Sequence, residues 1–179
     1  MHSKITDNKE RGDESPLFLS QMITKKLVTD LAEERMAERA NGLFIVELTI
    51  SAKNVIRLEL DKYEGGVTVE DCMSVSRNIE HNLDREEEDF ELHVSSAGLD
   101  KPLRVHAQYV KNVGRGLEVL LKSGEKTEGT LTEVTDEHLV LSSSEKRQIE
   151  GKKKKEVVEL TREIRFSEIQ EAKIVISFK

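Results

Sequence analysis

The chain has 179 residues, 36% hydrophobic and 35% charged, with no Trp, two Tyr, five Phe and a formal net charge of -7. That length and aliphatic composition suit one or two small cores and exclude a fully disordered polyelectrolyte. A single cysteine, Cys72, excludes an internal disulfide and a cysteine-built metal cluster within one chain.

No apolar run approaches the ~20 residues of a membrane helix, and no charged-then-apolar signal opens the sequence. The expectation is a cytoplasmic protein with no membrane contact. Charge is divided unevenly along the chain. Through Gly98 there are 12 basic and 21 acidic residues; from Leu99 onward there are 16 and 14. The first part should repel nucleic acid, and the second can approach a polyanion locally.

Residues 1–21 are polar without a sustained period, Ser15-Pro16-Leu17-Phe18-Leu19 being their one apolar cluster. They are expected to be a disordered leader or the product of an upstream translational start, with Met22 as the candidate true start. Over 22–40, Ile23, Leu27, Val28, Leu31 and Met36 gather on one helical stripe. Asn41-Gly42 is expected to end that helix. Over 43–50, Phe44, Val46, Leu48 and Ile50 are expected on one strand face. After Ser51-Ala52-Lys53-Asn54, Ile56, Leu58 and Leu60 alternate with Arg57 and Glu59. This predicts an antiparallel hairpin. Thr68 and Asp71 have the spacing of a helix-capping pair. Val69, Cys72, Met73, Ser76, Ile79 and Leu83 are expected to be the buried stripe of the second helix. The acidic run 85–89 reads as a solvated loop, and 90–95 as a third strand.

The strand stops at Ser95-Ser96-Ala97-Gly98, followed by Leu99-Asp100-Lys101-Pro102-Leu103. Gly98 can take a left-handed backbone. Asp100 is expected to cap a short helical turn, with Pro102 just inside it. This stretch is read as the elbow between two domains. Residues 104–113 read as a helical turn. Strand-like runs follow at 117–122, 127–134, 138–141, 157–160 and 172–178, with Gly129 at a bend and a single helical turn at Phe166-Ser167-Glu168-Ile169. The predicted fold class is α+β: an α-β-β-α-β two-layer domain, then a small closed SH3-like or Sm-like β-barrel. The expected boundaries are a leader at 1–21, the first domain at 22–96, the elbow at 97–113 and the barrel at 114–179.

Catalytic chemistry finds no constellation. Gly124-Glu125-Lys126-Thr127 lacks the remaining glycine of a phosphate loop and reads as a hairpin turn. None of the five histidines pairs at ligand spacing, and no Gly-x-Ser-x-Gly elbow surrounds a serine. Cys72 on an apolar stripe reads as a core thiol. Lys146, Arg147, Lys152, Lys153, Lys154 and Lys155 are expected on an exposed loop between two strands. They are either phosphate contacts or a solvated hairpin tip. No aromatic is interleaved to read bases.

The segment Val94-Ser95-Ser96-Ala97-Gly98-Leu99-Asp100-Lys101-Pro102-Leu103 resembles a V-S-S-P-G-L-D-R-P-L motif of the bacterial ribosome maturation factor family, RimP. Asp71-Cys72, Val75-Ser76-Arg77, Leu83-Asp84 and Phe166-Ser167-Glu168-Ile169 with Ala172-Lys173 stand in that family's spacing, so the likeness spans 22–179. Ala97 replaces the family proline, and Lys101 replaces an arginine, losing the bidentate fork. The resemblance implies an α+β domain followed by a small barrel. It also implies a non-catalytic role in maturation of the small (30S) ribosomal subunit. The implied partner is the free subunit or its precursor, through a ribosomal protein near the decoding region, rRNA or both. No cofactor, metal or small-molecule substrate is expected, and a monomer is. The alternative is an Sm-like RNA-binding regulator, since Gly129-Thr130-Leu131 with Asp136 and Leu139 resembles the first Sm signature.

Overall fold

The computed structural model describes residues 22–176. The expected leader at 1–21, and Phe178 of the last expected strand, lie outside the described residues. Thr24 opens the first helix, α1 (Lys25–Arg39): its Oγ1 accepts from the backbone N–H of Leu27 at 3.2 Å. Val28, Ala32 and Met36 are buried, with Ile23, Leu27 and Leu31 packed at the margin. The left-handed residue that ends α1 is Ala40, at φ 48°; the expected glycine, Gly42, takes φ 80° two residues later.

β1 (Leu43–Ile50) and β2 (Val55–Lys62) form the expected antiparallel hairpin, with one irregularity. Pairing steps from Ile45↔Leu60 to Glu47↔Glu59, so Val46 is an extra residue. A bulge inverts the facing of everything before it. Leu43 and Ile45, then Leu48 and Ile50, pack on the core, while Phe44 stacks on Tyr63 with ring centroids 4.8 Å apart. The expected single face of Phe44, Val46, Leu48 and Ile50 is thereby broken.

α2 (Val69–Asn82) crosses from β2 to β3 (Glu91–Ser96), which pairs parallel with β2 in the sheet order β1-β2-β3. Val75, Ile79 and Leu83 enter one core with Val28, Ile56, Leu58 and Leu60. Val69 and Met73, expected inside, are 77% and 45% exposed. The apolar positions of α2 therefore form two stripes, of which only one is covered.

The capping pair forms. The N–H of Asp71 donates to Thr68 Oγ1 at 3.1 Å, and the N–H of Thr68 donates to Asp71 Oδ2 at 3.0 Å. Asp71 is buried and also accepts from Arg39 Nη2 at 2.8 Å and Asn41 Nδ2 at 2.9 Å. It thus ties the start of α2 to the end of α1. Burial alone would push its carboxyl up. The hydrogen bonds from Thr68, Arg39 and Asn41 outweigh that and hold it at about 2, below the ordinary 3.8.

The second half begins with α3 (His106–Lys111), whose Tyr109 meets Phe166 edge-on at 5.0 Å. β4 (Gly116–Leu121), β5 (Lys126–Val134), β6 (His138–Gln148) and β7 (Lys155–Arg165) follow. A 3-10 turn at Phe166–Glu168 then leads to β8 (Ile169–Ile174). All neighbours are antiparallel, in the order β7-β6-β5-β4-β8. The sheet curls enough for Arg162 on β7 to grip Glu125 of the β4–β5 turn with two bonds of 2.7 and 3.1 Å. It is not the closed barrel expected from sequence, because β7 and β8, at its two ends, do not pair with each other. Leu117, Val119, Leu131, Leu139, Leu141 and Ile164 form its own buried cluster.

Gly129 sits where β6 passes closest. A Cβ there would lie 2.8 Å from the carbonyl oxygen of Ser142 and 3.2 Å from Leu141 Cβ. β6 and β7 are also longer than expected. β6 pairs with β5 only as far as Ser142, yet pairs with β7 out to Gln148↔Lys155. Residues 143–160 therefore project as a two-stranded arm with no third strand beside it among the described residues.

Two outcomes follow from this packing. Gly129→Ala should destabilise the protein by about 1–3 kcal/mol in urea unfolding, since backbone must move to admit one methyl. Asp71 contributes stability that is full above its ordinary value and is lost as pH falls through about 2. Asp71→Asn should cost about 2 kcal/mol at neutral pH. It should also flatten the acid limb of the stability curve below about pH 4, where the wild type declines.

Candidate functional site

Between the two sheets the chain has only five free residues, 98–102. The N–H of Ala97 donates to the Leu60 carbonyl at 2.8 Å, extending the β3 ladder by one rung. The N–H of Leu103 donates to the Ala172 carbonyl at 2.8 Å, fixing the far end of the elbow to β8. A turn closed by Lys101 N–H on the Gly98 carbonyl (3.3 Å) lies between them.

Two local expectations fail here. Gly98 does not take a left-handed backbone; a Cβ at this position would clash with Asp100 Oδ1, at 2.5 Å, on a side chain that can rotate away, and would touch Lys101 Cγ at an ordinary 3.8 Å. Asp100 caps no helix. The amides just before α3 are met by Gln108 Oε1, which accepts from Arg104 at 2.7 Å and Val105 at 3.3 Å. Of the other motif residues, Ser95 and Ser96 end β3 with exposed side chains, Pro102 and Leu103 are half-buried, and Leu99 is 61% exposed.

Ion pairs hold the two halves together. Lys101 Nζ donates to Glu59 Oε1 at 2.6 Å. Arg104 spans two carboxylates, bonding Glu47 Oε2 at 2.5 Å through Nη1 and Glu59 Oε2 through Nη2. Lys111 Nζ reaches Asp61 Oδ1 at 2.5 Å and the Gly65 carbonyl at 3.2 Å. Every acid in this set lies on β1 or β2, and every cation lies after β3. Glu59, Asp61 and Lys111 are largely buried, so bulk salt screens them less than surface pairs. Burial pushes the Glu59 carboxyl up, but the bonds from Lys101 and Arg104 prevail and hold it below its ordinary value. Lys101 makes a single-point contact, which an ammonium suits without a fork. Sequence reasoning missed Glu47, Glu59, Asp61, Arg104 and Lys111. The available signal was two acids at i, i+2 on the wet face of β2, with cations clustered after the third strand.

Beside the elbow, Tyr63, Leu99, Lys111 and Arg115 line an open cleft of about 560 Å3. Lys146, Arg147, Lys152, Lys153, Lys154 and Lys155 are all exposed at the far end of the arm, where Gly151 turns the chain at φ 85°. Arg147 Nε bonds Glu145 locally at 3.0 Å. The arm leaves the edge of the sheet opposite β8, so elbow and arm are separate surfaces. Cys72 is half-buried, and burial together with neighbouring Asp71 pushes its thiol up. Among the described residues no group of three or more His, Cys, Asp or Glu is placed to hold a metal ion, and no helix is long and apolar enough to cross a membrane.

Comparison with known proteins adds a family to this geometry. Residues 31–100 match the model described as the RimP N-terminal domain. The chain is 40% identical over 158 residues to the ribosome maturation factor RimP of Flavobacterium psychrophilum, covering 88% of this chain and 100% of that one. It is 42% identical over 154 residues to the protein of the same name from Christiangramia forsetii, covering 86% and 99%. A third, from Cytophaga hutchinsonii, is 33% identical over 165 residues, covering 87% and 95%.

Arg104 offers a direct test of the junction. Arg104→Gln leaves Lys101 on Glu59 but no cation bridging Glu47 and Glu59, and should cost about 1–2 kcal/mol in chemical denaturation. Adding Glu47→Gln should restore part of that loss, because it removes the repulsion. Strictly additive costs for the two substitutions would show that Arg104 does not bridge them.

Proposed function

The chain belongs to the ribosome maturation factor RimP family, and from that premise we propose that it is a non-catalytic assembly factor of the small ribosomal subunit. It binds the free subunit or its precursor in the cytoplasm, as a monomer without a cofactor. In this reading 22–96 and 114–179 act as two domains, the second a curled open sheet, held at a set angle by the elbow 97–113. The acidic first domain attracts a basic ribosomal protein. The arm presents Lys146, Arg147, Lys152, Lys153, Lys154 and Lys155 to rRNA phosphates.

The observation that carries the reading is the locked junction. Lys101, Arg104 and Lys111 meet Glu47, Glu59 and Asp61 across it. Two surfaces of opposite character are thereby presented as one rigid clamp, which suits docking on a protein–RNA particle. The motif residues Ser95, Ser96, Gly98, Leu99, Asp100, Lys101, Pro102 and Leu103 line the side of the clamp where both halves are reachable at once.

A pull-down with the full chain should retain free small subunits, but neither large subunits nor assembled ribosomes. Retention of short RNA alone at moderate salt would favour the Sm-like alternative. Replacing Lys152, Lys153, Lys154 and Lys155 with Gln should lower the slope of log affinity against log salt by about 3. An unchanged slope would remove the arm from the RNA contact.

A further inference from the structure

We propose that the open edge of β3, together with the uncovered stripe of α2, is a docking groove for an extended peptide of alternating apolar and basic residues. Such a peptide would add to the sheet as a fourth strand. β3 is a terminal strand of its sheet, and no other described strand pairs with it on the far side. The N–H groups of Glu91 and Ala97 point inward, to the carbonyls of Asn54 (3.0 Å) and Leu60 (2.8 Å). With a period of two, Leu92, Val94 and Ser96 turn their N–H and C=O groups to the free edge. Beside that edge runs a groove of about 550 Å3, walled by Val69, Cys72 and Met73 on α2 and by Leu92 and Val94 on β3.

The peptide's composition follows from the two sides of the groove. A strand added to β3 presents alternate side chains inward, against Val69, Met73 and Val94, where apolar groups gain by leaving water. Its other side chains fall on the outer face beside Glu91. On the elements that flank the groove, Glu70, Asp89 and Glu91 keep side-chain exposures of 83%, 89% and 63%, while Arg39, Arg85 and His93 lie against them and Arg77 stands one turn beyond Met73. The half of the chain that holds the groove is net acidic, with 21 acids to 12 bases through Gly98. A basic segment is therefore attracted, and an acidic one repelled. The inference deepens the assembly-factor reading and rests on it only for the partner's identity, a segment of a basic ribosomal protein.

The probe is a labelled peptide of alternating lysine and valine, titrated against the full chain. Binding should weaken at least tenfold with glutamate in place of lysine, and at least tenfold when alternate peptide amides are N-methylated. The double variant Val69→Lys and Met73→Lys alters two exposed side chains, so it should fold normally and bind at least tenfold more weakly. On binding, amide hydrogen exchange at Leu92, Val94 and Ser96 should slow. Equal affinity for the N-methylated peptide, or protection that leaves those three amides unchanged, would overturn the proposal. This holds even if the double variant fails to fold. The subunit pull-down separates the two readings. If wild type and double variant are retained alike, the groove is refuted and the assembly reading stands. If wild type is not retained, the assembly reading falls, while the peptide titration still decides the groove.

Discussion

Glu47 and Glu59 stand directly opposite each other on the outer face of the β1–β2 hairpin. Like charges in that register repel until a cation lies between them. Arg104 is that cation, and it comes from beyond β3. The hairpin is thus electrostatically incomplete by itself, and so is the second half, whose Lys101 and Lys111 find their acids on β2. The mutual requirement sets how the two sheets meet. It also explains why five free residues suffice between Ala97 and Leu103: the elbow closes a short span whose angle the ion pairs define. The substitutions from the family motif then become tolerable. Ala97 keeps its N–H and uses it on Leu60, a bond no proline can make.

The sequence made the first half legible wherever burial is one-sided. Alternation located β1 and β2 almost to the residue, and the Thr68–Asp71 spacing announced a capping box that the structure forms. The failures share one cause, that a pattern of residue types does not count residues across a strand pair. The bulge at Val46 inverts half of β1 with no signature of its own, since Leu43-Phe44-Ile45-Val46 is apolar on either register. On β6 and β7 the opposite problem arises. Residues 143–148 are polar on both faces because both faces of the arm meet solvent, so alternation has nothing to report. Cross-strand hydrogen bonding, not burial, extends those strands. The closed barrel was expected from short strands, tight turns, the bend at Gly129 and the family resemblance, none of which says whether the last strand pairs with its predecessor or only with β4.

The candidate site was less legible, for a related reason. The elbow motif is contiguous and was visible as a turn between two patterns. The ion pairs join positions 42 to 57 residues apart, and charge count alone gives only the asymmetry that makes them possible. The six basic residues at the end of the arm were visible as a cluster, while the projection that separates them from the sheet was not.

Sheet edges decide which surfaces remain for partners. At the β8 edge the amide of Leu103 occupies one position, and β7 lines its long edge with Lys155, Glu156, Glu159, Arg162, Glu163 and Arg165. Charge along an edge discourages unplanned strand addition. β3 is guarded differently. Its Glu91 and His93 side chains lie 2.5 Å from each other, and Leu92 and Val94 line the groove together with His93, Ser95 and Ser96. α2 explains why that side stays open. Its positions Val75, Ile79 and Leu83 satisfy the core, and the buried Asp71 fixes the helix rotation through Thr68, Arg39 and Asn41. With the rotation fixed, Val69 and Met73 cannot turn inward, and they stay beside an unpaired strand. An apolar stripe that the chain's own packing holds outward, next to free backbone donors and acceptors, is complementary to extended polypeptide rather than to a small ligand, because only a backbone can satisfy a strand edge along its length.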